Sequence, residues 1–518
     1  MKLHWLDVFT LISYLLIIIS VGIYFSRKNT TTEGYFVGNR SYSGWVIGLS
    51  MIGTSISSIT FLAYPADSFK TSWLRFLPNI VLPIVIITSA YLFLPFFKRN
   101  NIISAYEYLE ERFGPSVRIY GAITFLIGQL VRISLILYLL SLMVHEVTSL
   151  TILQSILLSG ITVGLYTILG GIEAVIWTDV IQTITLVCGG LICIGVIIYQ
   201  LPEGLNQIID IALLNNKLSF SELKDGVLHP VSWGVSLSNK TGIMMIILGF
   251  SWFFQEYIAN QNIIQRYAAA KNESEARKAM FISSINIPIW AFFMFLGTAL
   301  YAYFQVYPSE AASEMLIGTR NAEDILPYFI IYYLPSGISG LIIAAAIAAA
   351  MSSLDSSINS ISTVSVHDIY RRHLVPNKDD IHYLHIAWYI AAFATIIMII
   401  GSCILAFSKM NTLQDTYNTI GSVVMGGVLG IYLLGFCTKR GNEKSVWFGI
   451  ALTMTFSLWT VLAKYSSLPD WLQAPFDLYY TGILGQIVMF AGIFVAAVLF
   501  SDSKNNLKNL TIWTKGNK

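Results

Sequence analysis

Residues 348–360 read Ala-Ala-Ala-Met-Ser-Ser-Leu-Asp-Ser-Ser-Ile-Asn-Ser, and they lie inside an apolar run from 336 to 366. A run of that length suits a helix crossing the hydrocarbon core of a bilayer, which needs about 20 residues. Within it Ser352, Asp355, Ser356 and Asn359 recur at i, i+3, i+4 and i+7, so one helical face carries a polar stripe. The alanines ahead of the stripe let another backbone come close. A single serine in such a helix usually bonds to its own backbone or to a neighbouring helix. A dense cluster that includes a carboxylate, in surroundings where a charge is costly, reads instead as a site. Several oxygens at close range are what a hard cation such as sodium takes, and hydroxyls, a carboxylate and the freed carbonyls of an unwound helix supply that set.

The rest of the chain has the same character. Of 518 residues, 55% are hydrophobic and 12% charged, about half the charge that a soluble surface carries, and the mean hydropathy is +0.66. Thirteen stretches are apolar and long enough to span, at about 5–25, 45–68, 73–97, 117–144, 152–170, 175–200, 241–260, 278–304, 336–366, 385–408, 412–437, 445–464 and 478–500. Connections are short apart from 201–240 and 305–335. The expected fold class is therefore an all-α membrane protein, with residues 1–500 as a single transmembrane domain and 501–518 as a polar tail. A net charge of +2, with the basic residues scattered among short loops, excludes a nucleic-acid partner. Cys188, Cys193, Cys403 and Cys437 lie in apolar stretches without CxxC spacing and read as small hydrophobes. The run from Trp5 to Phe25 lacks a basic leader and a small-residue cleavage site, so it reads as a retained helix.

Lysine and arginine set the orientation, because basic loops stay in the cytoplasm. With the N-terminus outside, the cytoplasmic segments hold 21 of the 31 basic residues and the external ones 8, Arg75 and Arg132 lying within helices. The C-terminal tail is then cytoplasmic and the protein a multi-pass inner- or plasma-membrane protein. One peripheral helix (5–25) in front of two five-helix units (45–200 and 241–437) gives the units opposite topology, an inverted repeat, with two further helices over 445–500. Each unit should open on an interrupted helix. In the first, Gly53-Thr54-Ser55-Ile56-Ser57-Ser58-Ile59-Thr60 supplies the small, hydroxyl-rich stretch; in the second, Gly249-Phe250-Ser251 is the nearest counterpart.

Few charges fall inside spans: Arg132, Asp179 and Asp355 lie deepest, and Glu256 reads as a solvated helix end. An enzyme would need a nucleophile–base pair or a metal cluster, yet the seven histidines sit at helix ends and in loops, and no phosphate-binding GxxxxGK[ST] loop occurs. A membrane sensor would need a signalling domain after the last helix, where a polar tail of 18 residues stands. The expectation is a transporter and not an enzyme.

The segment Gly53 to Pro65, the loop Ser104 to Gly114, the stretch Gly170 to Gln182, Gln265-Arg266-Tyr267 and the 348–360 stripe together resemble the sodium/solute symporter family, and within it the bacterial sialic acid branch. The likeness covers about residues 5–500. It implies the LeuT-like fold of five-plus-five helices and a sodium-coupled symporter that imports a small organic solute by alternating access. It also implies a sodium site made of the carbonyls of Gly53, Ile56 and Ala349 and the hydroxyls of Ser352 and Ser353. Gly53 stands in place of the family's commoner alanine, a harmless exchange if the carbonyl alone acts. A second cation site would take Asp179, Ser352, Asp355 and Ser356. Position 355 is serine in the sialic acid branch, and the aspartate here would either strengthen that site or make it proton-sensitive. Ser55, Ser57, Ser58, Thr60, Asn79 and Arg132 would line the solute pocket. The guanidinium forks onto a carboxylate, which suggests an acidic sugar such as sialic acid or another organic carboxylate. A structural pairing of Arg132 with Asp355 is open, as is a neutral sugar or inositol as the solute. Sodium is the only ion implied, and the lipid bilayer and a small organic solute are the partners implied.

Overall fold

The computed structural model describes residues 4–26, 31–57, 59–99, 102–148, 150–224, 226–407, 426–465, 469–499 and 507–514. Among these, ten helices are long and apolar enough to cross a membrane, or eleven when one bent pair is counted as a span. The elements used below are α1 (Trp5–Ser26), α2 (Gly44–Ser55), α3 (Tyr64–Lys70), α4 (Pro115–Val147), α5 (Ile152–Gln200), α6 (Gly242–Ala259), α7 (Gln261–Ala269), α8 (Asn286–Val306) and α9 (Ile338–Val364). After them come α10 (Asp380–Phe407), α11 (Val428–Cys437), α12 (Glu443–Tyr465) and α13 (Thr481–Leu499).

The expected thirteen spans are not reached among the described residues, for two reasons. The segments expected at 152–170 and 175–200 are the two legs of α5, one 49-residue helix kinked at Gly171, and its first leg, Ile152–Ile168, is short for a span. Gly171 has φ 58°, and a Cβ there would meet the Tyr35 carbonyl oxygen at 2.9 Å, so conformation and packing both call for glycine. Of the helix expected at 412–437, only α11 and its approach fall within the described residues.

Helix α9 is the axis of the molecule. Every residue from Ile342 to Val364 is buried, which fits a helix that is apolar or small on all sides and packed against α5, α1, α4, α10 and α2. Its N-terminus is held by α1: the Asp7 carboxylate accepts from the backbone N–H groups of Gly337 (2.6 Å) and Gly340 (2.8 Å), where an anion meets the positive end of the helix dipole. A side chain at Gly340 would run into Asp7 and Thr10.

The first interruption falls where the hydroxyl-rich stretch lies. Helix α2 ends at Ser55, Ile56 turns extended (φ −93°, ψ 111°), and a π-helical turn over Ile59–Ala63 leads into α3. The two halves are bent by 64°. The second interruption is not at Gly249–Ser251, through which α6 runs unbroken. It lies eleven residues beyond Gly249, at Asn260 (φ −92°, ψ 120°), whose side-chain oxygen caps α7 by accepting from the Asn262 N–H. Gly249 serves packing instead, giving the Pro78 carbonyl room against α6. The long connection after α5 carries a small hairpin, Ser221–Lys224 against Val227–Pro230. Before it, Lys217 donates to the carbonyls of Phe69 (2.7 Å), Lys70 (3.2 Å) and Thr71 (3.1 Å), closing the end of α3.

Candidate functional site

The break after α2 faces α5 and α9. An atom placed at the Cβ of Gly53 would lie 2.6 Å from Thr183 Oγ1, 3.0 Å from the Asp179 carbonyl oxygen and 3.1 Å from Ser352 Oγ. The glycine is therefore not a neutral exchange for alanine, since a methyl group would push α2 off its neighbours. Ile56 and Ala349 are buried, at 1% and 2% exposure. Ser352 donates to Asp179. Ser353 Oγ is buried and has no hydrogen-bond partner among the described residues. An orphaned hydroxyl costs stability in oil, and one carried by the residue after Ser352 suits an alkali cation, which takes oxygens and asks for no fixed geometry.

Asp179, Ser352 and Ser356 do come together, around a residue to which the sequence reading assigned no role. The Arg266 guanidinium is fully buried and pairs with Asp179 at 2.6 Å. It also donates to Ser356 Oγ (2.7 Å), Ser50 Oγ (2.8 Å) and the Asn262 carbonyl (2.7 Å). Ser50 in turn donates to Asp179 at 2.5 Å, and Thr54 joins Ser356 at 3.3 Å. The break at Asn260 is what brings Arg266 inward, because it starts α7 on a new heading. The one cue in the sequence is the Gln265-Arg266-Tyr267 motif, whose arginine lies seven residues past the end of α6, and its spacing does not tie it to Asp179.

Asp355 touches this cluster through Ser356, whose hydroxyl donates to it at 3.5 Å. Its carboxylate accepts from Tyr166 Oη (3.0 Å), Thr178 Oγ1 (3.2 Å) and the Ser356 N–H (2.6 Å), and it forms no ion pair among the described residues. The alternative pairing of Arg132 with Asp355 is absent. Of these two buried carboxylates, Asp179 alone pairs with the buried guanidinium of Arg266.

Arg132 lines a cavity of about 260 Å³ with Ser55, Ser57, Leu135, Ile136, Trp252, Phe253, Glu256, Tyr257 and Trp290. It makes no hydrogen bond or ion pair with any described residue. Of the residues expected in the solute pocket, Ser55, Ser57 and Arg132 meet here. Thr60 and Asn79 are buried outside its lining, Asn79 donating to Tyr64 Oη at 3.2 Å. Ser58 lies outside the described residues. The sequence reading left Glu256 as a solvated helix end; the structure puts it on the cavity wall.

A broken helix held against a hydroxyl-rich one, beside a charged cavity in a helical membrane core, defines an ion-coupled secondary transporter. The family model of the sodium:solute symporter family matches residues 35–452, and the chain belongs to that family. Among curated proteins it is 31% identical to the sodium/sialic acid symporter NanT of Aliivibrio fischeri, over 97% of this chain and 94% of that one. It is likewise 31% identical to the sodium/sialic acid symporter SiaT of Proteus mirabilis, over 97% and 98%. The solved structure of a Na+-coupled sialic acid symporter in a substrate-bound outward-open state superimposes with a TM-score of 0.86 at 29% identity, over 97% of this chain and 99% of that one. The LeuT-like fold of an all-α membrane protein stands on that likeness.

Proposed function

We propose that the chain uses the sodium gradient to import an organic acid, an acidic sugar such as sialic acid being the first candidate. The observation that carries this reading is Arg132, a guanidinium on the wall of a membrane cavity that forms no ion pair with any described residue. Such a group is costly unless a ligand supplies the anion, and a carboxylate does so with two parallel hydrogen bonds. The names of the two curated relatives point to the same solute class.

Sodium binds at the carbonyls of Gly53, Ile56 and Ala349 and the hydroxyls of Ser352 and Ser353, holding α2 against α9 and so favouring the state open to the outside. The orphaned hydroxyl of Ser353 supports that assignment. Solute binding then lets two groups of helices rock, and low internal sodium empties the site inward. Helices in 5–25 and 445–500 flank the units 45–200 and 241–437, with the N-terminus outside and the tail inside. The membrane potential adds about 2.3 kcal/mol per charge per 100 mV. In Asp179, Ser352, Asp355 and Ser356, the second cation region, Arg266 already supplies one positive charge, and the remaining carboxylate leaves a place for one monovalent cation.

Uptake into proteoliposomes with an imposed inward sodium gradient tests the reading, with N-acetylneuraminate, a neutral hexose, inositol and proline compared. The expected result is N-acetylneuraminate uptake at least tenfold faster with the gradient, and loss of it in Arg132→Ala. Equal rates with and without sodium for every accepted solute would overturn it.

A further inference from the structure

The cavity that holds Arg132 also holds Glu256, and the two charges have separate surroundings. One oxygen of Glu256 accepts from Asn260 Nδ2 at 2.6 Å. No described cation pairs with it, and no other described group donates to it. A carboxylate can accept about four hydrogen bonds, so most of this capacity is free. The wall around it is aromatic: Trp252, Phe253, Tyr257 and Trp290 offer rings, and Trp290 stacks beside Phe253 at 5.7 Å between centroids. In such surroundings an acceptor with spare capacity is costly until a donor reaches it, and a second anion is repelled.

On the reading that Arg132 takes the solute's carboxylate, we infer that Glu256 is the second determinant of specificity. It accepts hydrogen bonds from the far end of the solute, so that the transporter carries acids bearing hydroxyl, amide or ammonium donors and refuses bare monocarboxylates. A bare acid would satisfy Arg132 alone and leave two carboxylates facing each other across a cavity of about 260 Å³. An acid with donors at its other end satisfies both walls, and the aromatic rings cover the carbon skeleton between. The donor can be a sugar hydroxyl or an ammonium group, and these two sources differ in how strongly they depend on the charge of Glu256.

The test uses the full chain in liposomes with an inward sodium gradient and three kinds of acid: N-acetylneuraminate, the methyl glycoside of neuraminate with its free ammonium, and the bare acids propionate and benzoate. Wild type should carry at least one donor-bearing acid with a kcat/KM at least tenfold above either bare acid. In Glu256→Gln that ratio should fall below threefold through loss on the donor-bearing side, and Glu256→Asp, with its shorter reach, should fall between. A larger loss for the ammonium-bearing acid identifies a charge partner, and the greater loss for N-acetylneuraminate identifies hydroxyl or amide donors. Sodium-dependent thermal stabilisation of each variant, measured first, shows that it is folded, and the aspartate variant gives the readout where the amide does not fold. An unchanged ratio, or bare acids carried as well as the others by wild type, overturns the role of Glu256 while leaving sodium-coupled acid uptake intact. Absence of sodium-dependent uptake of any acid by wild type removes the solute reading itself.

Discussion

A buried serine that donates to no described group is informative because its removal separates two roles. Ser353 Oγ lies at 1% residue exposure without a partner among the described residues, so in the absence of sodium it costs stability, about 1–3 kcal/mol for a fully desolvated orphan group. Ser353→Ala removes that cost. The sodium-free protein should therefore melt at the same temperature or higher, while the half-saturating sodium concentration for uptake rises at least tenfold, about 1.4 kcal/mol of lost binding. Melting curves in detergent and uptake against sodium concentration read the two effects separately. A drop in sodium-free stability with unchanged sodium dependence would make Ser353 a packing residue. Ser352 is the poorer probe, because it already donates to Asp179 and its loss mixes both effects.

At the scale of elements, the Arg266–Asp179 pair joins α7 to α5 and, through Ser50 and Ser356, to α2 and α9. Removing one partner from a buried pair strands a charge and typically costs about 3–5 kcal/mol, whereas replacing both partners with neutral groups can cost far less. Arg266→Met should accordingly melt well below wild type and transport nothing, and Arg266→Met with Asp179→Asn should recover most of the melting temperature. A double variant no more stable than Arg266→Met would mean that the guanidinium's other hydrogen bonds, and not its charge, hold the elements. This pairing also marks how far the sequence could be read. The break after Ser55 was legible because its cause is local: small hydroxyl residues replace leucine where a lipid-facing helix would want it. The stripe on α9 was legible from helical spacing alone. The break at Asn260 was not, since Gly249 looks like a breaker and is instead a packing glycine against Pro78. Nor was the partner of Asp179, which lies 87 residues away, a distance over which spacing carries no information about contact. Glu256 was misread for the same reason: the aromatic wall that makes it part of a cavity comes partly from α8.

Across the whole molecule, one end of the bundle is tied by charge. Arg118 at the start of α4 pairs with Glu110 (2.6 Å) and with Asp368 beyond the end of α9 (2.7 Å), and Arg372 reaches Glu110 at 2.5 Å. Glu107 accepts from the N–H groups of Ile103 (2.7 Å) and Ser104 (2.8 Å) and meets His367 at 3.0 Å. These contacts tie the start of α4 to the segment that follows α9. Burial alone would raise the Glu107 carboxyl. The hydrogen bond and charge of His367, with the two backbone donors, outweigh it and hold the group at about 2. Arg118 and Asp368 stand close by with opposite charges. A carboxyl held below its ordinary value of 4.5 stabilises the folded state above that pH and loses its contribution as the pH falls toward 2. The full difference is on the order of 3 kcal/mol. Wild type should therefore lose melting temperature steeply between pH 4.5 and pH 2, and Glu107→Gln, less stable at pH 6, should lose less over the same window. Parallel curves for the two proteins would place the acid sensitivity elsewhere and leave the junction of α4 and α9 without an electrostatic lock.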